Sequence, residues 1–201
     1  TLGRVVIGPL IEDFLACYPK ARVELLMSNK LVDLAAEGID IAVRVGRIPR
    51  SEYPGRVIGH VEQRLVAAPA YLARHRPIGD PIDLAGHNCL CFASGGSVQS
   101  WGFLRGGTRR QVHVSGDFIA DDAETLMRRC AGGHGIAVLP GWLLQGSDRA
   151  RSLVRVMPDW RCAAMPLNLV CVHRKHRPQK IQAALRFLNE RLRPFLVAPP
   201  A

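Results

Sequence analysis

Segments with helical spacing and segments with strand character take turns along the whole chain, and few features constrain a fold more. Strands separated by helices argue for an α/β architecture. Gly3 to Tyr18 carries Val6, Leu10, Phe14 and Leu15 near helical spacing, with Pro19 as a stop. Val23–Met27 reads as a short strand. Ser28-Asn29 supplies an N-cap for a helix through Ala36, closed by Gly38. Asp40–Val45 is the next strand. Packed into roughly 25 residues, these segments form a βαβ unit whose two strands are expected to be parallel.

Arg56 to Ala68 is β-branched and extended. Pro69–Leu72 and Pro81–Leu84 read as short helical turns, and Cys89–Phe92 as a strand. Residues 94–111 suggest hairpin strands around Trp101, and Val112–Gly116 continues as a strand. Asp121 or Asp122 caps a helix from Ala123 to about Ala131, which Gly132–Gly135 ends. Ile136–Pro140, Leu153–Val156 and Leu167–Val172 are strands. Gln179 to Leu192 is amphipathic, with Ile181, Leu185, Leu188 and Leu192 on one face. No Pro/Ser linker separates two beads, so two lobes would have to be joined along strands, at residues 57–65 and 163–172.

A hydrophobic fraction of 48% excludes a disordered chain. No apolar run approaches the ~18 residues of a membrane span, and Thr1-Leu2-Gly3-Arg4 does not read as an export signal. The net charge is +10. Residues 149–193 hold eleven basic residues against Asp159 and Glu190, so the excess is C-terminal; only four of the 27 basic residues are Lys. A basic chain hints at nucleic acid, but no helix-turn-helix, zinc finger or RNP motif is visible. The stretch reads as a solvated basic face, with its Arg residues opposite the apolar side of the closing helix.

The six cysteines have irregular spacing and no CxxC, and sit among apolar neighbours. They read as small buried hydrophobes in a reducing, cytoplasmic setting. The chain carries no GxSxG, HExxH, P-loop or strand-borne GxGxxG, so an enzyme is not expected and no cofactor is implied. Asp121-Asp122 suits helix capping and would also suit acid/base or metal chemistry. His134 reads as a turn residue. Binding is better supported. Ser28-Asn29 and Asp121-Asp122 follow strands and open helices, where ligands of α/β sheets collect and free N–H groups meet anions.

Thr1-Leu2-Gly3-Arg4 through Pro9-Leu10, then Phe14-Leu15-Ala16 and Tyr18-Pro19, sit ahead of Val23–Ser28, Val32-Asp33-Leu34 and Glu37–Gly46. Leu65–Leu72, Asp83-Leu84, Cys89-Leu90, Trp101-Gly102-Phe103, Ala131–Pro140 and Phe187-Leu188 continue the series. In this order the motifs resemble the effector-binding domain of LysR-type transcriptional regulators over nearly the whole chain. The resemblance implies a two-lobed, type 2 periplasmic-binding-protein-like fold. Each lobe is a mixed sheet flanked by helices, joined to the other by two crossover strands. Lobe I is expected at 1–60 and 168–201, without the family's first strand, and lobe II at 61–167. The winged helix-turn-helix of the family lies outside this sequence.

The resemblance also implies a small-molecule effector in the interlobe cleft, of the organic-acid or aromatic kind, and control of DNA binding and transcription by a homodimeric or homotetrameric parent protein. Promoter DNA is reached only through the missing N-terminal domain, and no membrane is involved. Carried over by position, the effector-binding candidates are Thr1, Ser28, Asn29 and Arg44 on the first lobe and Ser94, Asp121 and Asp122 on the second. Arg44 could pair a carboxylate or a structural partner, and the acids at 121–122 disfavour an anion at that wall. The alternative is a solute-binding protein of a transport system, which calls for an export signal.

Overall fold

Pro9 is the second residue of helix α1 (Gly8–Cys17), and because its ring lacks an N–H it gives no hydrogen bond to the turn before it. Gly3–Ile7 extends this helix backwards as a π-helical turn. Val6, Ile7, Leu10 and Phe14 are buried, and Phe14 meets Phe187 edge-on at 5.3 Å between ring centres. The computed structural model describes residues 1–30, 32–48, 55–93, 99–172 and 178–198. The chain divides into two compact units: unit 1 is Thr1–Val61 with Met165–Ala201, and unit 2 is Glu62–Ala164.

Unit 1 continues with β1 (Ile41–Val45) and β2 (Gly55–Val61). The chain then enters unit 2. There it forms β3 (Gln63–Ala67), α2 (Pro69–Leu72), a 3-10 turn at Pro81–Gly86, β4 (Cys89–Phe92), β5 (Gln99–Arg105), β6 (Thr108–Val114) and β7 (Ile119–Ala120). Helix α3 (Ala123–Ala131), β8 (Ile136–Pro140), α4 (Gly141–Gln145), a 3-10 turn at Asp148–Ser152, β9 (Val154–Arg155) and β10 (Arg161–Cys162) complete unit 2. Back in unit 1, β11 (Met165–Cys171) leads to α5 (Gln179–Arg191) and a 3-10 turn at Arg193–Phe195.

In unit 1 the strand order is β1-β11-β2, and both pairings are antiparallel. Between the pairs Leu167–Gly59 and Asn168–Val57 the ladder skips Ile58, a bulge that bends β2. Unit 2 has a five-stranded sheet, β7-β4-β8-β3-β9, in which β4 runs parallel to β7 and β8 while β3 is antiparallel to β8 and β9. A second, three-stranded sheet is β10-β5-β6. Its inner face carries Trp101, Phe103 and Cys162 into a core with Leu84, Ile136 and Trp160. Phe103 is fully buried, and truncating such a ring costs about 3–5 kcal/mol.

Three sequence expectations in unit 1 are corrected. Val23–Met27 forms no strand and joins no sheet among the described residues, and Leu26 and Met27 are exposed. β1 takes its ladder from the distant β11, so the expected parallel βαβ pairing does not form. The helix from Ser28 to Ala36 is also absent and is replaced by a single turn at residues 34–38. Asp33 caps this turn, its Oδ1 accepting from the N–H of Ala35 and Ala36. Gly38, at φ 66°, ends it while Ile39 N–H donates to Leu34 O. With its cap at 33 and its stop at 38, the segment holds too few residues for a second turn. Local signals gave no notice of β7, β10, α4 or the turns at 148–152 and 193–195.

The glycine run after α3 is structural. Gly133 takes φ 74°, and a Cβ on Gly135 would stand 2.6 Å from Asn88 O. The run therefore makes a turn that lets the backbone pass close to β4. All six cysteines are free. Cys17 is exposed, against the expectation of burial, because it ends α1 on its solvent side. Burial pushes the thiols of Cys89, Cys130 and Cys162 up to about 12, so these groups stay protonated.

Candidate functional site

In unit 1 the cross-strand pair Arg44–Asn168 is the centre of a polar cluster. Asn168 is 7% exposed, and its Nδ2 donates to Gly46 O at 2.8 Å and Arg44 O at 3.1 Å. These bonds fix the end of β1 at the level where β11 faces the β2 bulge. From the same strand, Arg44 Nη1 donates to Lys30 O at 2.6 Å. Ser28 Oγ in turn accepts from Lys30 N–H. Three of the expected residues, Ser28, Asn29 and Arg44, therefore meet on one loop-and-strand junction, although not through a helix cap. Thr1 is half-buried, and its carbonyl accepts from Val5 N–H at the opening of the first helix.

In unit 2 the parallel strands β4 and β7 end side by side, with Phe92 opposite Ala120. Asp121 and Asp122 follow directly and lead into α3. Asp122 Oδ1 accepts from Thr125 N–H at 2.8 Å and from Thr125 Oγ1 at 3.0 Å. Its carboxylate thus occupies the helix N-terminus, which an anionic ligand would otherwise use. Asp121 is exposed beside it. Ser94 lies outside the described residues.

A further polar network in unit 2 escaped the sequence. Asn88 N–H donates to Tyr71 Oη at 2.9 Å, and the same oxygen is hydrogen-bonded with His87 Nδ1 at 3.3 Å. Burial lowers the His87 pKa and raises that of Tyr71. The His75 ring stacks on Tyr71 at 3.9 Å. Asn88 Nδ2 donates to Asp117 Oδ1, and Arg129 pairs with the other carboxylate oxygen at 2.6 Å. The bonds from Asn88 and Arg129 hold Asp117 below the usual carboxylate range. Residues 71, 87, 88, 117 and 129 share no spacing that a sequence scan could register.

Among the described residues, no three His, Cys, Asp or Glu side chains are grouped to hold a metal ion. No described helix is long and apolar enough to cross a membrane.

The family model described as the LysR substrate binding domain matches residues 1–193. The chain belongs to that family. It is 29% identical over 192 residues to an HTH-type transcriptional repressor of Pseudomonas aeruginosa, covering 94% of this chain and 61% of the relative. It is 30% identical over 188 residues to the HTH-type transcriptional regulator CrgA of Neisseria meningitidis serogroup C, covering 93% of this chain and 62% of that one. The solved regulatory domain of CrgA from Neisseria meningitidis superposes with a TM-score of 0.77 at 30% identity, covering 93% of this chain and 92% of that one. The chain thus spans about three fifths of the curated relatives' length and nearly all of an isolated regulatory domain.

This LysR-family chain has the two-lobed, periplasmic-binding-protein-like α/β fold of such regulatory domains. It is an effector-binding regulatory domain by family, and its relatives are transcriptional regulators rather than enzymes. The comparisons give the transport alternative no support.

Proposed function

We propose that this chain is the sensing and oligomerisation part of a longer, cytoplasmic LysR-type transcriptional regulator. The match to the LysR substrate binding domain over residues 1–193 carries the reading. The longer protein acts as a homodimer or homotetramer and reaches promoter DNA through an N-terminal winged helix-turn-helix. Its effector is a small organic acid or an aromatic.

On unit 1 the effector-contacting groups are Thr1, Ser28, Asn29 and Arg44, whose guanidinium can pair a carboxylate. On unit 2 they are Ser94, Asp121 and Asp122. The effector works by favouring one conformation of the domain. Turning a nine-to-one preference into one-to-nine needs about 80-fold tighter binding to the favoured state, or about 2.6 kcal/mol.

The test is a thermal-shift screen of the isolated chain against small carboxylates and aromatic compounds. At least one compound raises the melting temperature, and Arg44→Ala weakens a carboxylate ligand at least ten-fold. A broad panel without any stabilising compound would refute effector sensing.

A further inference from the structure

The β5–β6 hairpin turns through Gly106 and Gly107, both at positive φ (52° and 82°). This is the backbone of a tight two-residue hairpin turn, and arginine surrounds it. Arg161 of β10 lies opposite Leu104, and Leu104 lies opposite Arg109. Facing residues in a ladder share a face, so Arg161 and Arg109 point the same way. With one strand between them, their backbones stand about 10 Å apart. Arg110 and Arg105 belong to the reverse face of the tip. Arg105 is held there with its guanidinium 4.5 Å above the Trp160 ring. All four arginines are exposed.

Their charge is unanswered. Residues 99–114 contain no Asp or Glu. Elsewhere in unit 2, Arg64 pairs with Glu62, Arg129 with Asp117 and Arg151 with Asp148. Among the described residues, none of the four hairpin arginines has a carboxylate partner. Asp159 is the acidic residue closest to them in sequence.

We propose that the tip of this hairpin, together with Arg161, is a contact surface for the phosphate backbone of duplex DNA. Guanidinium groups match phosphate oxygens in a two-pronged geometry and give up water readily. A two-stranded ribbon fits the major groove, and arginines on both its faces meet the phosphate rows on both sides. A duplex is favoured over a single strand because the rings of this sheet, Trp101 and Phe103, pack into the core and leave no stacking platform. The choice of DNA among polyanions rests on reading the longer protein as a DNA-bound regulator. The surface itself is independent of the effector.

The experiment measures binding of the chain to a labelled duplex of about 20 base pairs and arbitrary sequence, by fluorescence anisotropy from low to moderate salt. Three or four phosphate contacts give a slope of log K against log salt near −3, at about 0.9 per phosphate. The variant Arg109→Ala/Arg110→Ala/Arg161→Ala binds at least ten-fold more weakly and brings that slope to about −1. The equally charged control Lys180→Ala/Arg186→Ala/Arg191→Ala on α5 loses less than about three-fold. An unchanged urea midpoint certifies that the hairpin variant folds; if it does not, Arg109→Glu alone is measured and loses at least as much as any single α5 variant. Equal losses in the two triple variants, or no binding by the unaltered chain at low salt, overturn the proposal. So does equal binding to polyglutamate or to phosphatidylserine vesicles with the same dependence on these arginines. A failed effector screen leaves this result untouched, and failure here leaves effector binding standing.

Discussion

Replacing Asn168 by Asp tests the polar centre of unit 1. The side-chain amide donates two buried hydrogen bonds, to Gly46 O and Arg44 O. Truncation to Ala removes both bonds and leaves the Gly46 carbonyl without this donor, at about 1–3 kcal/mol. For a chain of this size that lowers the melting temperature by roughly 2–12 °C. Asn168→Asp is worse at neutral pH. A carboxylate in the same place accepts where a donor is needed, and it is buried against two carbonyl oxygens. That environment raises the folded-state pKa of the new Asp above its unfolded value near 3.9. Protonation therefore favours the folded state, because the carboxylic acid can donate one bond. Relative to the unaltered chain, the deficit is largest above the folded pKa, shrinks as pH falls through it, and levels off below about 3.9. Urea unfolding of both proteins at a series of pH values between 7.5 and 4.5 measures this. A deficit that stays constant across the series, or an Asn168→Ala cost below about 0.5 kcal/mol, would show that the amide does not hold β1 as described.

Three further outcomes follow from unit 2 and the thiols. The pKa of His87 is lowered by burial, so its neutral form stabilises the fold above the unfolded value near 6.5, and this contribution fades as pH falls below it. Urea midpoints between pH 7.5 and 5.5 should therefore decline less steeply in His87→Gln. Gly116→Ala places a methyl against Cys89 O and costs more than about 3 kcal/mol, whereas Gly79→Ala, with open space around it, leaves the urea midpoint within experimental error. Of the six thiols exposed Cys17 reacts rapidly with a disulfide reagent at pH 8, half-buried Cys162, its pKa pushed up to about 12, reacts slowly, and the four buried thiols wait for denaturant; a fast thiol among those four would contradict their burial.

Much of unit 2 was legible from sequence because its elements announce themselves locally. Pro69, the Asp122 cap and the Gly132–Gly135 stop bound α2 and α3 where expected, and the β-branched run 136–140 forms β8. Unit 1 was less legible because its sheet depends on a partner more than a hundred residues away. Val23–Met27 has the composition of a strand, yet a strand exists only where another offers a ladder. The failed helix at 28–36 has the same lesson at short range: Ser28-Asn29 has capping chemistry, but Asp33 captured the N–H groups first. At the candidate site, the order of strands and helices pointed to Ser28-Asn29 and Asp121-Asp122, and the resemblance added Arg44 and Ser94. It could not foresee that Arg44 would be tied to Lys30 O, or that Asn168 would anchor the strand.

The middle position of β11 in its sheet has a consequence for biosynthesis. β1 and β2 both hydrogen-bond to β11 and not to each other. On the ribosome they are made first and must wait while all of unit 2 is translated, roughly 5–20 s at ordinary elongation rates of 5–20 residues per second. Unit 2 is continuous in sequence and can close its sheets during that interval. Unit 1 cannot complete its sheet until residue 171 has left the exit tunnel. Through that delay two nascent strands keep open edges, so a newly made chain is most exposed to chaperones, and to pairing with the wrong neighbour, just before its last quarter emerges.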